Sequence, residues 1–86
     1  MQNKDSQKVI IRFFKALEQL KDDKAIRGKQ TFTRKYGINR RNLYLLEKDY
    51  SRGIFQTAWL TYLVVDFNVS AYWLLTGKGS FYSPKN

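Results

Sequence analysis

The sequence contains no cysteine, no histidine and a single proline among its 86 residues. Without cysteine the chain can form neither disulfides nor zinc ribbons, and it has no thiol nucleophile. Without histidine it lacks the most common metal ligand and the most common general base. Acidic residues are scarce as well, because Asp and Glu together number seven. This composition argues against an enzyme, and it implies no metal or other cofactor.

Long apolar runs are also missing. No stretch of about 18 apolar residues is present, so we expect no segment that spans a bilayer and no membrane partner. The first residues lack the apolar region of a signal peptide, and we expect a cytoplasmic protein. A chain of 86 residues fits one domain with a core of large side chains, and 16% of the residues are aromatic.

Basic residues are abundant where acidic ones are scarce. Sixteen Lys and Arg against seven Asp and Glu give a net charge of +9. Seven of the basic residues fall between Lys24 and Leu46 with no acid among them, whereas residues 53–77 carry one charge, Asp66. Such a charge balance attracts polyanions; nucleic acid and an anionic membrane are the two natural partners, and of these we expect nucleic acid. We therefore predict that the middle of the chain forms a binding surface and that the C-terminal third forms mostly the scaffold that supports it.

Apolar residues recur with the spacing of helices rather than strands. A first helix is predicted within residues 6–23, capped by Asp5 or Ser6, with its apolar stripe formed by Ile10, Phe13, Phe14, Leu17 and Leu20. Further helices are predicted over residues 29–36, 40–48, 57–67 and 71–76. We expect Phe14, Phe32, Trp59, Phe67 and Trp73 to form core. The prediction is one all-α domain over residues 6–80, with frayed ends at 1–5 and 83–86.

A sharp turn separates the second and third predicted helices. Gly37 permits the positive φ that such a turn requires, and Asn39 is a favourable N-cap for the helix that follows. We expect Ile38 to fill the space between the two helices, and Leu43 and Leu46 to form the inner face of the third. This layout is typical of a helix-turn-helix, whose second helix enters the major groove of DNA.

The residues of this motif resemble a known family. The run FTRKYGINRRNLYLLE, residues 32–47, is similar to the lambda-repressor-like, Cro/CI-type domain of the XRE family. The ending YWLLTGKG, residues 72–79, resembles the Trp-Leu-Leu-Thr-Gly ending of many bacterial and phage members. The resemblance implies a five-helix domain that binds operator DNA, commonly as a dimer, and hence a transcriptional regulator. The chain departs from the family pattern at Lys29, where many members have Gln, and at Thr33, where many have Ala.

Arg40 and Arg41 are the strongest candidates for reading bases. They occupy the first two positions of a predicted helix, where the helix dipole makes each cation unfavourable by roughly 0.3–1 kcal/mol. Arginine pairs bidentately with guanine O6 and N7, which gives these positions a use beyond folding. We predict base contacts from Asn39, Arg40, Arg41 and Tyr44. We predict contacts with phosphates of the double-stranded DNA from Lys29, Arg34, Lys35 and Lys48.

The C-terminal segment holds aromatic residues that so small a domain cannot easily bury. One recognition helix covers only a few base pairs, so we predict a weak homodimer through this segment, with Tyr72, Phe81 and Tyr82 at its surface. An alternative function is a protein-interaction adaptor that uses the same aromatic surface. An RNA-binding module is a further alternative, which would require exposed aromatic residues among the basic ones. No small-molecule effector is implied.

Overall fold

The chain folds into five helices and no strand within residues 3–84, which are the residues that the computed structural model describes. The helices are α1 (Lys4–Asp22), α2 (Lys29–Tyr36), α3 (Arg40–Lys48), α4 (Ala58–Phe67) and α5 (Ala71–Thr76). One isolated antiparallel bridge joins Val69 to Tyr82. The predicted all-α class is confirmed. None of the helices in this part of the chain is both long enough and apolar enough to cross a bilayer.

The start of α1 differs from the prediction. Asn3 is its N-cap, and the Asn3 Oδ1 accepts a hydrogen bond from the backbone N–H of Ser6 at 2.7 Å. The prediction of Asp5 or Ser6 as the cap is therefore wrong. Asparagine caps a helix as well as those residues do, and the earlier cap places Asp5 in the first turn, where the helix dipole favours an acid. Of the predicted frayed ends, residues 1–2 and 85–86 lie outside the described residues.

The core is centred on Phe13, which is fully buried. Its ring lies 5.2 to 5.7 Å, centroid to centroid, from the rings of Phe14, Phe32, Phe55 and Trp59. These partners come from α1, α2, α4 and the loop before α4, so one side chain of the first helix contacts most of the domain. The predicted core residues Phe14, Phe32 and Trp59 are buried, whereas Phe67 and Trp73 are half-buried.

Arg12 joins the first helix to the last. Its Nε donates to the carbonyl of Leu74 at 2.6 Å, and its Nη2 donates to the carbonyl of Leu75 at 2.9 Å. The carbonyls at a helix C-terminus have no partner within the helix, so a guanidinium satisfies them and also interacts well with the helix dipole. Gly77, at φ 77°, ends α5 directly beside this guanidinium.

The segment after α5 folds back onto the domain. The Phe81 ring packs edge-on against Trp73 at 4.8 Å, and the Phe81 carbonyl accepts from the backbone N–H of Ser70 at 2.7 Å. The Tyr82 hydroxyl donates to Asp23 Oδ2 at 2.5 Å, close to the end of α1. Two of the three aromatic residues that the sequence assigned to a dimer surface are therefore held by contacts within the chain.

Candidate nucleic-acid interface

Helices α2 and α3 meet at the predicted turn. Gly37 has φ 64°, and the backbone N–H of Ile38 donates to the Thr33 carbonyl at 2.9 Å, which closes the end of α2. Leu43 and Leu46 are buried, so they fix the inner face of α3. Thr33 is 2% exposed where α2 lies against α3, and its hydroxyl donates to the Gln30 carbonyl at 3.1 Å. The larger residue at this position is thus accommodated with its polar group satisfied.

The predicted base-contacting residues lie at the exposed start and outer face of α3. The Asn39 side chain accepts from the backbone N–H of Asn42 at 3.0 Å, so it caps the helix as predicted. Arg40 and Arg41 are exposed, and neither forms an ion pair within residues 3–84. Tyr44 is 58% exposed and lies one turn beyond Arg40. Two free guanidiniums at the positive end of a helix make this surface a strong attractor of anions.

The groove between α2 and α3 brings some of these residues together with others from α2. Arg40 and Tyr44 line it from α3, and Lys29 and Gln30 line it from α2. The Nζ of Lys48 lies 5.2 Å from the centre of the Tyr44 ring, one turn further along the same face of α3. Arg40, Tyr44 and Lys48 therefore form one continuous face, whereas Arg41 lies outside this groove.

Lys29 makes the ion pairs of the interface. Its Nζ lies 2.7 Å from Glu47 Oε2 on α3 and 3.6 Å from Glu18 Oε1 on α1. Burial by itself lowers the pKa of Lys29, but the hydrogen bond and charge of Glu47, aided by Glu18, raise this pKa above its ordinary value. Lys29 thus links three helices. The predicted phosphate contact stays a prediction, and it requires the ammonium to be shared with these carboxylates.

Arg34 and Lys35 project from the outer side of α2. Both are exposed, and neither forms an ion pair within the described part of the chain. The Nζ of Lys35 lies 5.4 Å from the centre of the Phe67 ring and 5.6 Å from that of Tyr36, so its stem covers part of α4 while its charge stays at the surface. Both predicted phosphate-contacting side chains are accessible to a ligand.

Tyr36 holds α2 against α4 in a way that the sequence did not indicate. Its ring stacks on Tyr62 at 4.0 Å with an interplanar angle of 4°, and its hydroxyl donates to Asp66 Oδ2 at 2.5 Å. Burial, followed by the hydrogen bond to Asp66, raises the pKa of Tyr36 well above its ordinary value. Tyr36 and Asp66 are 30 positions apart, and no local pattern connects residues at such a distance. The contact fixes α2 and, through it, the position of α3.

A second exposed surface lies on α4 and α5. Helices α4 and α5 form a groove of about 310 Å³, termed here the α4–α5 groove. Its apolar lining consists of Leu60, Val64, Val65, Ala71, Leu74 and Leu75, with Thr57 and Thr61 at its edge. Val65 is 72% exposed and Leu75 is 59% exposed. Both side chains line the groove and leave apolar surface open to solvent.

Within residues 3–84, no group of three or more acidic side chains comes close enough together to hold a metal ion. No protein-family profile, no curated protein and no solved structure matches this chain. The function proposed for it therefore depends on the charge and geometry of α2, α3 and the surfaces beside them.

Proposed function

We propose that this protein binds double-stranded DNA in a sequence-specific manner, as a transcriptional regulator of bacterial or phage type. The observation that carries the proposal is the pair of exposed arginines at the N-terminus of α3, Arg40 and Arg41, which form no ion pair within residues 3–84. Cations there oppose the helix dipole, so the sequence gives up stability at this point for a charge that faces solvent. Arginine at the start of a recognition helix is well suited to guanine in the major groove.

The remaining residues of the surface take roles that follow from their positions. Tyr44, on the same face as Arg40, can contact a thymine methyl group, and Asn39 at the cap lies close to the bases. Arg34, Lys35 and Lys48 contact phosphates, which sets the orientation of α3 without reading sequence. Lys29 is proposed as a fourth phosphate contact that also bonds Glu47. The five-helix order and the closed turn at Gly37 support a lambda-repressor-like architecture as part of the proposal.

Selection of bound sequences from a random duplex pool tests this function. We expect enrichment of a motif that contains guanine. Arg40→Ala and Arg41→Ala should each lower affinity for the best site by about 1–3 kcal/mol and relax preference at particular base pairs. Lys35→Ala is the matched control, because loss of a phosphate contact weakens all sequences about equally. A pool without enrichment, or arginine variants that weaken specific and random binding equally, would contradict the proposal.

We further propose that the DNA-bound form is a weak homodimer whose contact is the α4–α5 groove together with Tyr72. Each copy carries a net charge of +9, so two copies repel except where basic residues are absent. Residues 53–77 carry one charge, Asp66, which accepts a hydrogen bond from Tyr36. Because Phe81 and Tyr82 pack within the chain, the exposed aliphatic side chains Val65 and Leu75 form the centre of this contact.

Substitution of Leu75 by lysine tests the homodimer. Leu75 is exposed in the single chain, so Leu75→Lys should leave folding intact but remove cooperative binding to a palindromic duplex, with affinity for a single half-site unchanged. Ser80→Lys adds the same charge outside the groove and serves as the control. Cooperativity that survives Leu75→Lys would place the dimer contact elsewhere. Loss of binding to a protein partner, with DNA binding unaltered, would instead favour an adaptor.

A further inference from the structure

A band of five basic residues lies beside the helix-turn-helix, on the end of α1, the loop after it and the outer side of α2. This basic band consists of Lys21, Lys24, Arg27, Arg34 and Lys35, all of them exposed. Two open clefts of about 560 and 580 Å³ run along it, and both are lined by Arg27, Thr31 and Arg34. None of the five cations forms an ion pair within residues 3–84. Asp22 and Asp23 lie next to the band in sequence but form no ion pair with it, and Glu18, which lines the first cleft, pairs with Lys29.

The basic band adjoins the surface of α3 that is proposed to read bases. The first cleft is lined by Lys29 and Gln30 as well as by Lys21 and Arg27. Lys29 and Gln30 also line the groove that holds Arg40 and Tyr44. The two surfaces therefore meet along the first turn of α2. A rigid polyanion that lies on α3 and extends past this turn reaches the band.

Lys24 supplies an independent argument that the band has a use beyond folding. It adopts a left-handed conformation with φ 64°, in which a side chain is disfavoured and glycine or asparagine is preferred. Its backbone N–H donates to the Lys21 carbonyl at 3.0 Å, and the N–H of Ala25 donates to the Leu20 carbonyl at 2.8 Å. These two bonds form a Schellman ending of α1, which places Lys24 in the left-handed conformation. A lysine at such a position lowers stability and adds to the crowding of positive charge. Arg40 and Arg41 likewise occupy positions, at the start of α3, where their charge lowers stability.

We infer that the basic band binds phosphates of the duplex that flank the base pairs contacted by α3, with Lys24 and Arg27 as additional phosphate contacts. The inference rests on the proposed function and extends the DNA surface that the protein covers. An anionic membrane is the less favoured ligand. Basic surfaces that bind membranes are usually accompanied by exposed apolar side chains that enter the lipid. The exposed large apolar residues of the described chain are Tyr44, Val65, Tyr72, Leu75 and Tyr82, and none of them belongs to the band.

The salt dependence of duplex binding tests the inference, because each phosphate contact contributes about 0.9 to the slope of log K against log salt concentration. We compare the wild type with the double variant Lys24→Gln/Arg27→Gln, on a duplex that extends beyond the selected motif. The matched control is Lys8→Gln/Lys78→Gln, which removes the same charge from exposed positions outside the band. Per bound copy of the protein, the band variant should show a slope less steep by about 1.8, and the control should retain the wild-type slope. On a duplex trimmed to the motif, the effect of the band variant should disappear.

Three further measurements make the outcome unambiguous. Thermal unfolding of both double variants verifies that they fold, and Lys24→Gly should raise stability while it weakens binding to the long duplex. A band variant with the wild-type or control slope overturns this inference alone, whereas a wild type that binds no duplex overturns the proposed function as well. Binding to phosphatidylserine vesicles that is lost in the band variant, with an unchanged duplex slope, would assign the band to membranes.

Discussion

The α2–α3 region and the α4–α5 region share one core, but the first presents a basic surface and the second an apolar one. Residues 24–46 carry seven basic residues and no acid, whereas residues 53–77 carry a single charge. The first region exposes arginines at a helix start, and the second exposes aliphatic side chains such as Val65 and Leu75. Each surface is costly for a monomer, the first through charge repulsion and the second through exposed apolar area. The difference fits the proposal that the first region binds a polyanion and the second an uncharged surface of another copy.

The largest effect is expected from a substitution in the shared core, which should destabilise both regions together. Phe13→Ala should lower the free energy of unfolding by about 3–5 kcal/mol, because the side chain is fully buried among four other rings. Chemical denaturation followed by circular dichroism and by tryptophan fluorescence measures the change. Tyr72→Ala, at a position that is 61% exposed, is the control and should have little effect. Separate transitions for the two probes would show that the regions unfold independently.

A smaller effect is expected for Lys29, and it distinguishes two roles of this residue: holding α3 in position and contacting a DNA phosphate. Lys29→Gln, Glu47→Gln and the double variant should give a coupling free energy of about 0.2–1 kcal/mol, since both side chains are about one-third exposed. Lys29→Gln should also reduce the preference for the selected motif over random duplex, because the Lys29–Glu47 bond holds α3 against α2. As a proposed phosphate contact, Lys29 should also contribute to the salt slope of DNA binding, which becomes less steep in Lys29→Gln. An unchanged slope would leave Lys29 a positioning residue alone.

Lys35→Gln is the comparison for that slope, which we expect to become less steep by about 0.9 per bound copy when a phosphate contact is lost. If Lys29→Gln changes the slope by the same amount, Lys29 contacts a phosphate, as the sequence predicted. Lys29 and Lys35 would then both be phosphate contacts.

The smallest expected effect concerns the Tyr82–Asp23 contact, which joins the C-terminal segment to the end of α1. The hydrogen bond from Tyr82, followed by that from Gln19, lowers the pKa of Asp23, and burial together with Asp23 raises the pKa of Tyr82 to about 12. The contact therefore stabilises the fold between these limits. Its contribution is lost as pH falls through the lowered pKa of Asp23, and also as pH rises through about 12.

Tyr82→Phe tests this contact. The pKa of Asp23, followed by NMR, should move up towards its ordinary value of 3.8. The stability difference between variant and wild type should be constant near neutral pH and vanish at strongly acidic pH. Tyr72→Phe, on an exposed ring, is the control. An unchanged pKa of Asp23 in Tyr82→Phe would mean that the hydrogen bond is absent in solution.

Local features of the sequence predicted most of the secondary structure. The bounds of α2, α3 and α5 follow from Gly37, Asn39, Ser70 and Gly77, whose conformations act within one turn of the chain. The first cap was mistaken because Asn3, Asp5 and Ser6 are nearly equivalent as caps, so the pattern alone could not choose among them. Exposure of Arg40 and Tyr44 followed from the same periodicity that buried Leu43 and Leu46.

Contacts between distant residues could not be predicted. The pairs Lys29–Glu47, Tyr36–Asp66 and Tyr82–Asp23 depend on how the helices pack, which no spacing in the sequence specifies. The exposed groove was likewise missed, because the aromatic residues after α5 suggested a surface that the chain itself covers. Charge and periodicity thus indicated which residues face outward, and packing determined which of them remain free.

The bond from Arg12 to the end of α5 has a consequence for the order of folding during synthesis. Helix α1 leaves the ribosome first, but its guanidinium finds its acceptors only when Leu74 and Leu75 follow, 62 and 63 positions later. Helix α5 has six residues and is too short to persist without tertiary contacts. The link between α1 and α5 therefore forms only after the basic residues of α2 and α3 have been synthesised.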